Sequence, residues 1–250
     1  MVYGIETFLQ YFKDYTDQYV LIGGSACDIV MQEYDIDFRT TKDLDIVLII
    51  EMLNKSFVEK FWQFVKDGQY KNIVTNTSEN QFYRFSKPAT PKFPSMIELF
   101  SRKRMDIFLK HDKGLSPIHI DDSIQSLSAI LLDDDYYNLL FSGKKETDNL
   151  SYLSKEMIIL FKIKAYIDLK ERKEKGESVD SRDIRKHRND IFKLLTLINP
   201  NIRIEIPPSI KKDLEKFLEI IPNDKPDLSA LKIKGASFED FIIILKDIYF

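Results

Sequence analysis

Three carboxylates and one glycine pair are the residues whose type and spacing could do chemistry. Asp43 and Asp45 are separated by a single residue. On a strand, side chains two apart share a face. Two carboxylates placed so repel each other unless a cation lies between them. Mg²⁺ suits such a place, because it is held by carboxylate oxygens together with substrate phosphates. A chain with 40 Asp and Glu contains acid-x-acid triplets by chance, so the sequel matters. Ile46-Val47-Leu48-Ile49-Ile50 is continuously apolar, the pattern of a strand buried on both faces. Glu98 lies within Met96-Ile97-Glu98-Leu99-Phe100, where an unpartnered carboxylate is costly. A shared metal would satisfy it; so would an edge position that turns it to water. Asp106, in Met105-Asp106-Ile107-Phe108, is a rival third acid. Gly23-Gly24 is the only such pair among 8 glycines, and Ser25 follows it. Glycine permits positive φ and close approach of a phosphate, and a helix start offers free N–H groups and a positive dipole end. A tight strand–helix turn is the plainer explanation of the pair.

These residues need elements to position them. Residues 2–17 read as an amphipathic helix, with Ile5, Phe8, Leu9 and Phe12 on one side. Residues 19–22 form a short buried strand ending at Gly23-Gly24. Ser25 is the expected N-cap of a helix running to about Tyr34. Residues 44–50 predict a second strand, 54–67 a helix with the only Trp, Trp62, and 81–86 and 96–101 two further strands. Residues 118–130 add a strand or a turn. From about Ser154 the pattern turns helical, over 154–172, 181–198, 208–221 and 237–248, punctuated by Pro200, Pro207, Pro208, Pro222 and Pro226. The expected architecture is therefore an α/β domain with a mixed sheet over residues 1–150, followed by a C-terminal helical bundle over 151–250. The polar stretch 142–149 marks the boundary.

The helical half carries its own polar residues. Projected at about 100° per residue, Ile158, Ala165, Tyr166 and Leu169 fall in one apolar arc with Lys162 in its middle. Lys164, Asp168 and Glu171 lie opposite. A lysine on a core-facing stripe needs an acidic partner or an anionic ligand, unless it snorkels to solvent at the helix end. On the next helix Ile184, Ile191, Leu194, Leu195 and Ile198 share a face with His187 and Asp190. Buried Lys, His and Asp on neighbouring helices suggest a polar site facing the first domain, or an internal ion-pair network that ties the bundle together.

Gly24-Ser25, then Asp43-x-Asp45, then Glu98 in a later strand resembles the nucleotidyltransferase superfamily with its polymerase-β-like core. The helical half is similar to the AbiEii/AbiGii-type branch, toxins of type IV toxin–antitoxin systems. Lys162-Ile163-Lys164-Ala165 fits that branch's lysine motif. Lys186-His187-Arg188-Asn189-Asp190 fits its second motif, with His187 standing where many relatives have Asp. The resemblance spans about residues 18–200. It implies transfer of a nucleoside monophosphate from a Mg²⁺-bound NTP to an acceptor: RNA such as a tRNA end, or a protein hydroxyl. Gly23, Gly24 and Ser25 would hold the triphosphate, Asp43, Asp45 and Glu98 would bind Mg²⁺, and Glu98 would help deprotonate the acceptor. Lys162 would contact phosphates, with Asp190 orienting it or lining the acceptor path. A cognate antitoxin is an implied partner. The alternatives are an idle fold that binds nucleotide or protein, and an enzyme modifying small molecules.

Composition narrows the field without naming a substrate. The chain has 250 residues and a net charge of −3. Charge is uneven: residues 84–113 hold eight Lys or Arg against three acids, and 162–193 hold eleven against seven. Such zones tolerate a polyanion such as RNA, or are merely solvated helix faces. One cysteine, Cys27, excludes an internal disulfide framework. No apolar run approaches the ~20 residues of a membrane span, and the first residues lack the pattern of a signal peptide. A cytosolic protein without a membrane partner is expected.

Overall fold

The computed structural model describes residues 2–39, 41–75, 82–102, 116–117, 130–131, 133–147 and 149–250. The chain divides into two compact units, Met1–Asp121 with Leu140–Ser154, and Asp122–Leu139 with Lys155–Phe250.

The first unit is built on a mixed sheet. Its strands are β1 (Tyr19–Leu21), β2 (Asp43–Leu48), β3 (Tyr70–Thr75), β4 (Phe82–Pro88), β5 (Met96–Phe100), β6 (Ser116–Pro117), β7 (Lys144–Glu146) and β8 (Ser151–Leu153). Their order is β6-β3-β4-β5-β2-β1-β8-β7. The expected α/β fold with a mixed sheet is what the chain adopts. β2 runs parallel to β5 and antiparallel to β1, while β4 pairs antiparallel with β5. Ile46, Val47 and Leu48 are all buried, as a central strand covered on both faces requires. The polar stretch 142–149 carries the turn and first strand of the β7–β8 hairpin, whose second strand pairs in parallel with β1.

Helices α1 (Ile5–Phe12), α2 (Gly23–Glu33) and α3 (Lys55–Gly68) accompany this sheet. α1 is shorter than expected and passes into a 3₁₀ turn at Lys13–Tyr15. It buries Ile5, Phe8 and Phe12, with Leu9 half-buried. Asn54 caps α3 by accepting from the Phe57 N–H at 2.9 Å. Phe8, Phe12, Phe57, Phe61, Phe64, Phe85 and Phe93 form a continuous aromatic cluster, with ring centroids of neighbouring members 4.6–6.4 Å apart.

The second unit is helical: the first turns of α4 (Asp134–Ser142), then α5 (Lys155–Glu174), α6 (Ser181–Leu195), α7 (Pro208–Ile220) and α8 (Phe238–Tyr249). α5 is its axis. Eleven of its residues are buried, Met157 to Ile163 without a break, so its apolar surface is far wider than one arc. A helix apolar on nearly all sides belongs in a core. α6, α7 and α8 are one-sided: α7 presents Ile210, Leu214 and Phe217, and α8 presents Phe241, Leu245 and Ile248. Ser237 and Asp240 close a capping box on α8. The strand or turn expected at 118–130 falls outside the described residues, apart from residue 130. No helix among the described residues is long and apolar enough to cross a membrane.

Candidate functional site

The site in the sheet unit begins with strand register. Asp45 on β2 is paired with Glu98 on β5, and Glu98 with Arg84 on β4. One cross-strand row therefore carries Asp45, Glu98 and Arg84 side by side. Directly opposed residues on one face interact, and opposite charges stabilise the pairing. Two Arg84 nitrogens reach Glu98 Oε1: Nε donates at 2.8 Å and Nη2 lies at 2.6 Å. On the other side Glu98 shares a hydrogen bond with Asp45. Glu98 is 7% exposed. Burial, and then the charge of Asp45, push its carboxyl up to about 8, with Arg84 pulling the other way. At neutral pH the Glu98 carboxyl therefore keeps its proton.

The strand–helix turn closes on the same carboxylate. Ile22 N–H donates to the Asp45 carbonyl at 2.9 Å, which fixes the end of β1 against β2. Gly23 has φ +59°, and a Cβ there would stand 2.1 Å from Asp45 Oδ2. The position thus needs glycine twice, for its conformation and for the approach of the carboxylate. Gly24 N–H donates to Asp45 Oδ2 at 3.1 Å, so the positive end of α2 is turned to this anion. α2 starts at Gly23, three residues earlier than expected, with Ile22 as N-cap. Ser25 is not the cap. It lies inside the first turn, fully buried, and its hydroxyl donates to the Ile22 carbonyl at 2.8 Å. Glycine's tolerance of the left-handed region lets the helix begin before the serine.

Asp43 lies on the same face of β2 as Asp45 and is half-buried. Among the described residues, no group of three or more His, Cys, Asp or Glu is gathered tightly enough to hold a metal ion. The pair that does meet fits a hard cation in kind. It offers carboxylate oxygens and retains a proton that a cation could replace. Asp106 lies outside the described residues. Arg84 was not anticipated, although a single cation in Phe82-Tyr83-Arg84-Phe85 mirrors the single anion in the apolar run around Glu98. Arg39 and Thr41 were missed as well: their side chains would lie 3.2 Å from a Cβ at Gly24.

In the helical unit the expected lysine and aspartate meet each other. Lys162 Nζ lies 2.8 Å from Asp190 Oδ2, and the two residues are 4% and 2% exposed. His187 is half-buried on α6. The face expected to be polar also finds internal partners: Lys164 donates to Asp213 at 2.9 Å. Asp224 accepts from Tyr166 at 2.8 Å, and Arg188 also donates to it.

No family model and no curated protein matches the chain. Among solved structures it is similar to the crystal structure of an antigenic nucleotidyltransferase-like protein from Paracoccidioides brasiliensis, with a TM-score of 0.45 and 18% identity, covering 96% of this chain and 94% of that one.

Proposed function

We propose that the protein is a Mg²⁺-dependent nucleotidyltransferase whose sheet unit moves a nucleoside monophosphate from an NTP to an acceptor hydroxyl. The observation that carries this reading is the row Arg84–Glu98–Asp45, which places two carboxylates side by side against the start of a helix. Asp43, Asp45 and Glu98 would hold the cation. Mg²⁺ supplies neutralisation of phosphate charge and a more acidic acceptor hydroxyl. The protein's own residues do the rest by position and charge, as phosphoryl transfer requires. Asp45 is held in one orientation by Gly24 N–H. The α2 start and the Gly23–Ser25 turn present a positive dipole end to the phosphates. Glu98 would help deprotonate the acceptor hydroxyl once the cation has displaced the proton that its burial retains. The acceptor oxygen then bonds to the α-phosphorus as the bond to the β-phosphate oxygen breaks, releasing diphosphate.

The acceptor in this reading is RNA, such as a tRNA end, or a protein hydroxyl, and the reaction is that of a toxin held by an antitoxin. The test incubates the protein with each NTP labelled at the α-phosphorus, Mg²⁺, and total RNA or lysate. Label is expected on RNA or protein, and Asp45→Asn is expected to abolish it. Absence of transfer from all four NTPs would overturn the reading. Label confined to small molecules would replace the macromolecular acceptor. Expression in a sensitive host should slow growth, and Asp45→Ala should relieve it.

A further inference from the structure

One guanidinium reaches into the row of two acids. In the row across β4, β5 and β2, Arg84 is the cation that meets Glu98. Its Nε and Nη2 both reach a single oxygen of a residue that is 7% exposed. A guanidinium is permanently charged, and its fork matches carboxylate geometry. It therefore stabilises the acidic pair as a cation would. We propose that Arg84 is the resident counter-ion of this pair: a divalent cation reaching Glu98 must displace it, and the displacement keeps the affinity of the protein for bare cations low.

The inference rests on the carboxylates being a cation site, and adds to that reading the residue that sets its affinity. Three features of the geometry support it. Arg84 approaches Glu98 from β4, whereas Asp45 approaches from β2, so the guanidinium stands across the carboxylate from the second acid. Its contacts, at 2.6 and 2.8 Å, occupy an oxygen that a metal would need. A positive charge within a few ångströms also repels a divalent ion in buried surroundings. Arg84 is a positioning residue here, acting through Glu98.

Calorimetric titration with Mn²⁺ or Mg²⁺ alone tests this, on the wild type and on Arg84→Met, Arg84→Lys, Glu98→Gln and Asp45→Asn. Arg84→Met is expected to bind the cation about tenfold more tightly or better, and to recover on cation addition the melting temperature it loses without it. Arg84→Lys, which keeps the charge, should stay near the wild type. Glu98→Gln and Asp45→Asn should lose the binding. Equal or weaker binding by Arg84→Met, with the wild type binding normally, would overturn the counter-ion role and leave the cation site standing. Absence of binding in every variant, Arg84→Met included, would overturn the cation site itself. Should Arg84→Met fail to fold, the wild type gives the answer: the side-chain Nε–H resonance of Arg84 should move as Mg²⁺ is added. A resonance that stays put while Mg²⁺ binds would overturn the proposal.

Discussion

The two units each bury an acidic residue in contact with a base, and they do it differently. In the helical unit Lys162 meets Asp190 at 2.8 Å, both almost fully buried. In the sheet unit Glu98 is pressed between a like charge and a guanidinium, with a helix start turned to its acidic neighbour. A matched pair inside a helical core stabilises through its own geometry and is costly to break. A row with excess negative charge is stable only while it keeps a proton or gains a cation. The first arrangement is closed; the second is prepared to receive charge. Buried ionic contacts are thus sorted by whether their charges balance, not by burial.

The largest expected effect breaks the open network. Asp45→Asn and Asp43→Asn should each lower transfer about a thousandfold or more, about 4 kcal/mol of transition-state stabilisation. The fold should be kept, because removing one of several like charges relieves repulsion. Melting curves alongside the transfer assay check both halves. Next comes the closed pair. Asp190→Asn or Lys162→Met should each destabilise the protein by ~3 kcal/mol, through the stranded partner. The double variant Lys162→Met/Asp190→Leu should regain most of that loss, because apolar replacement of a whole buried pair is often neutral. Additive losses in urea unfolding would show that the two residues do not act as a pair.

A smaller effect tests the turn. Gly23→Ala should cost about 1–3 kcal/mol for its positive φ, and should also push Asp45 from its place. Activity should therefore fall by more than stability alone explains, while Gly235→Ala, which also has positive φ but nothing within 4 Å, pays only the conformational penalty. The smallest effect is on pH. The Glu98 carboxyl is raised from 4.5 to about 8, so the native state keeps a proton that the unfolded chain gives up. This contribution to stability is complete below pH 4.5, falls as pH rises, and is gone above about 8. A bound cation must expel that proton. The Mg²⁺-induced rise in melting temperature should therefore grow from pH 6 to 8 and level off beyond. A rise independent of pH would separate Glu98 from the cation.

The strands that carry chemistry were legible because their signals are local. The apolar run 46–50 and the single acid at 98 announce buried strands, and β2 and β5 lie within two residues of where periodicity puts them. The four helices after residue 154 were legible through their stripes and prolines. β3 was not: Tyr70-Lys71-Asn72-Ile73 has little alternation, and its pairing with β4 comes from the hairpin context. β7 and β8 were missed because, unlike the equally short but continuously apolar β1, Lys144-Lys145-Glu146 is all charged and Ser151-Tyr152-Leu153 is too short to show a period. The N-cap misreading at Ser25 arose because serine preference is a local rule, whereas the true start is set by Asp45, 21 positions away in sequence. Arg84 was missed for the same reason, since only strand register reveals that it opposes Glu98. Lys162 and Asp190 were both picked out by helical projection, but their contact at 2.8 Å needed the packing of α5 on α6.

The most direct test of the contrast between the open and closed networks is a calorimetric titration of Mg²⁺ with a non-hydrolysable NTP analogue into three proteins. The wild type should bind, Asp45→Asn should lose binding, and Lys162→Met should retain it within about threefold, because Lys162 has its anion in Asp190. Binding lost in Lys162→Met and kept in Asp45→Asn would contradict the account.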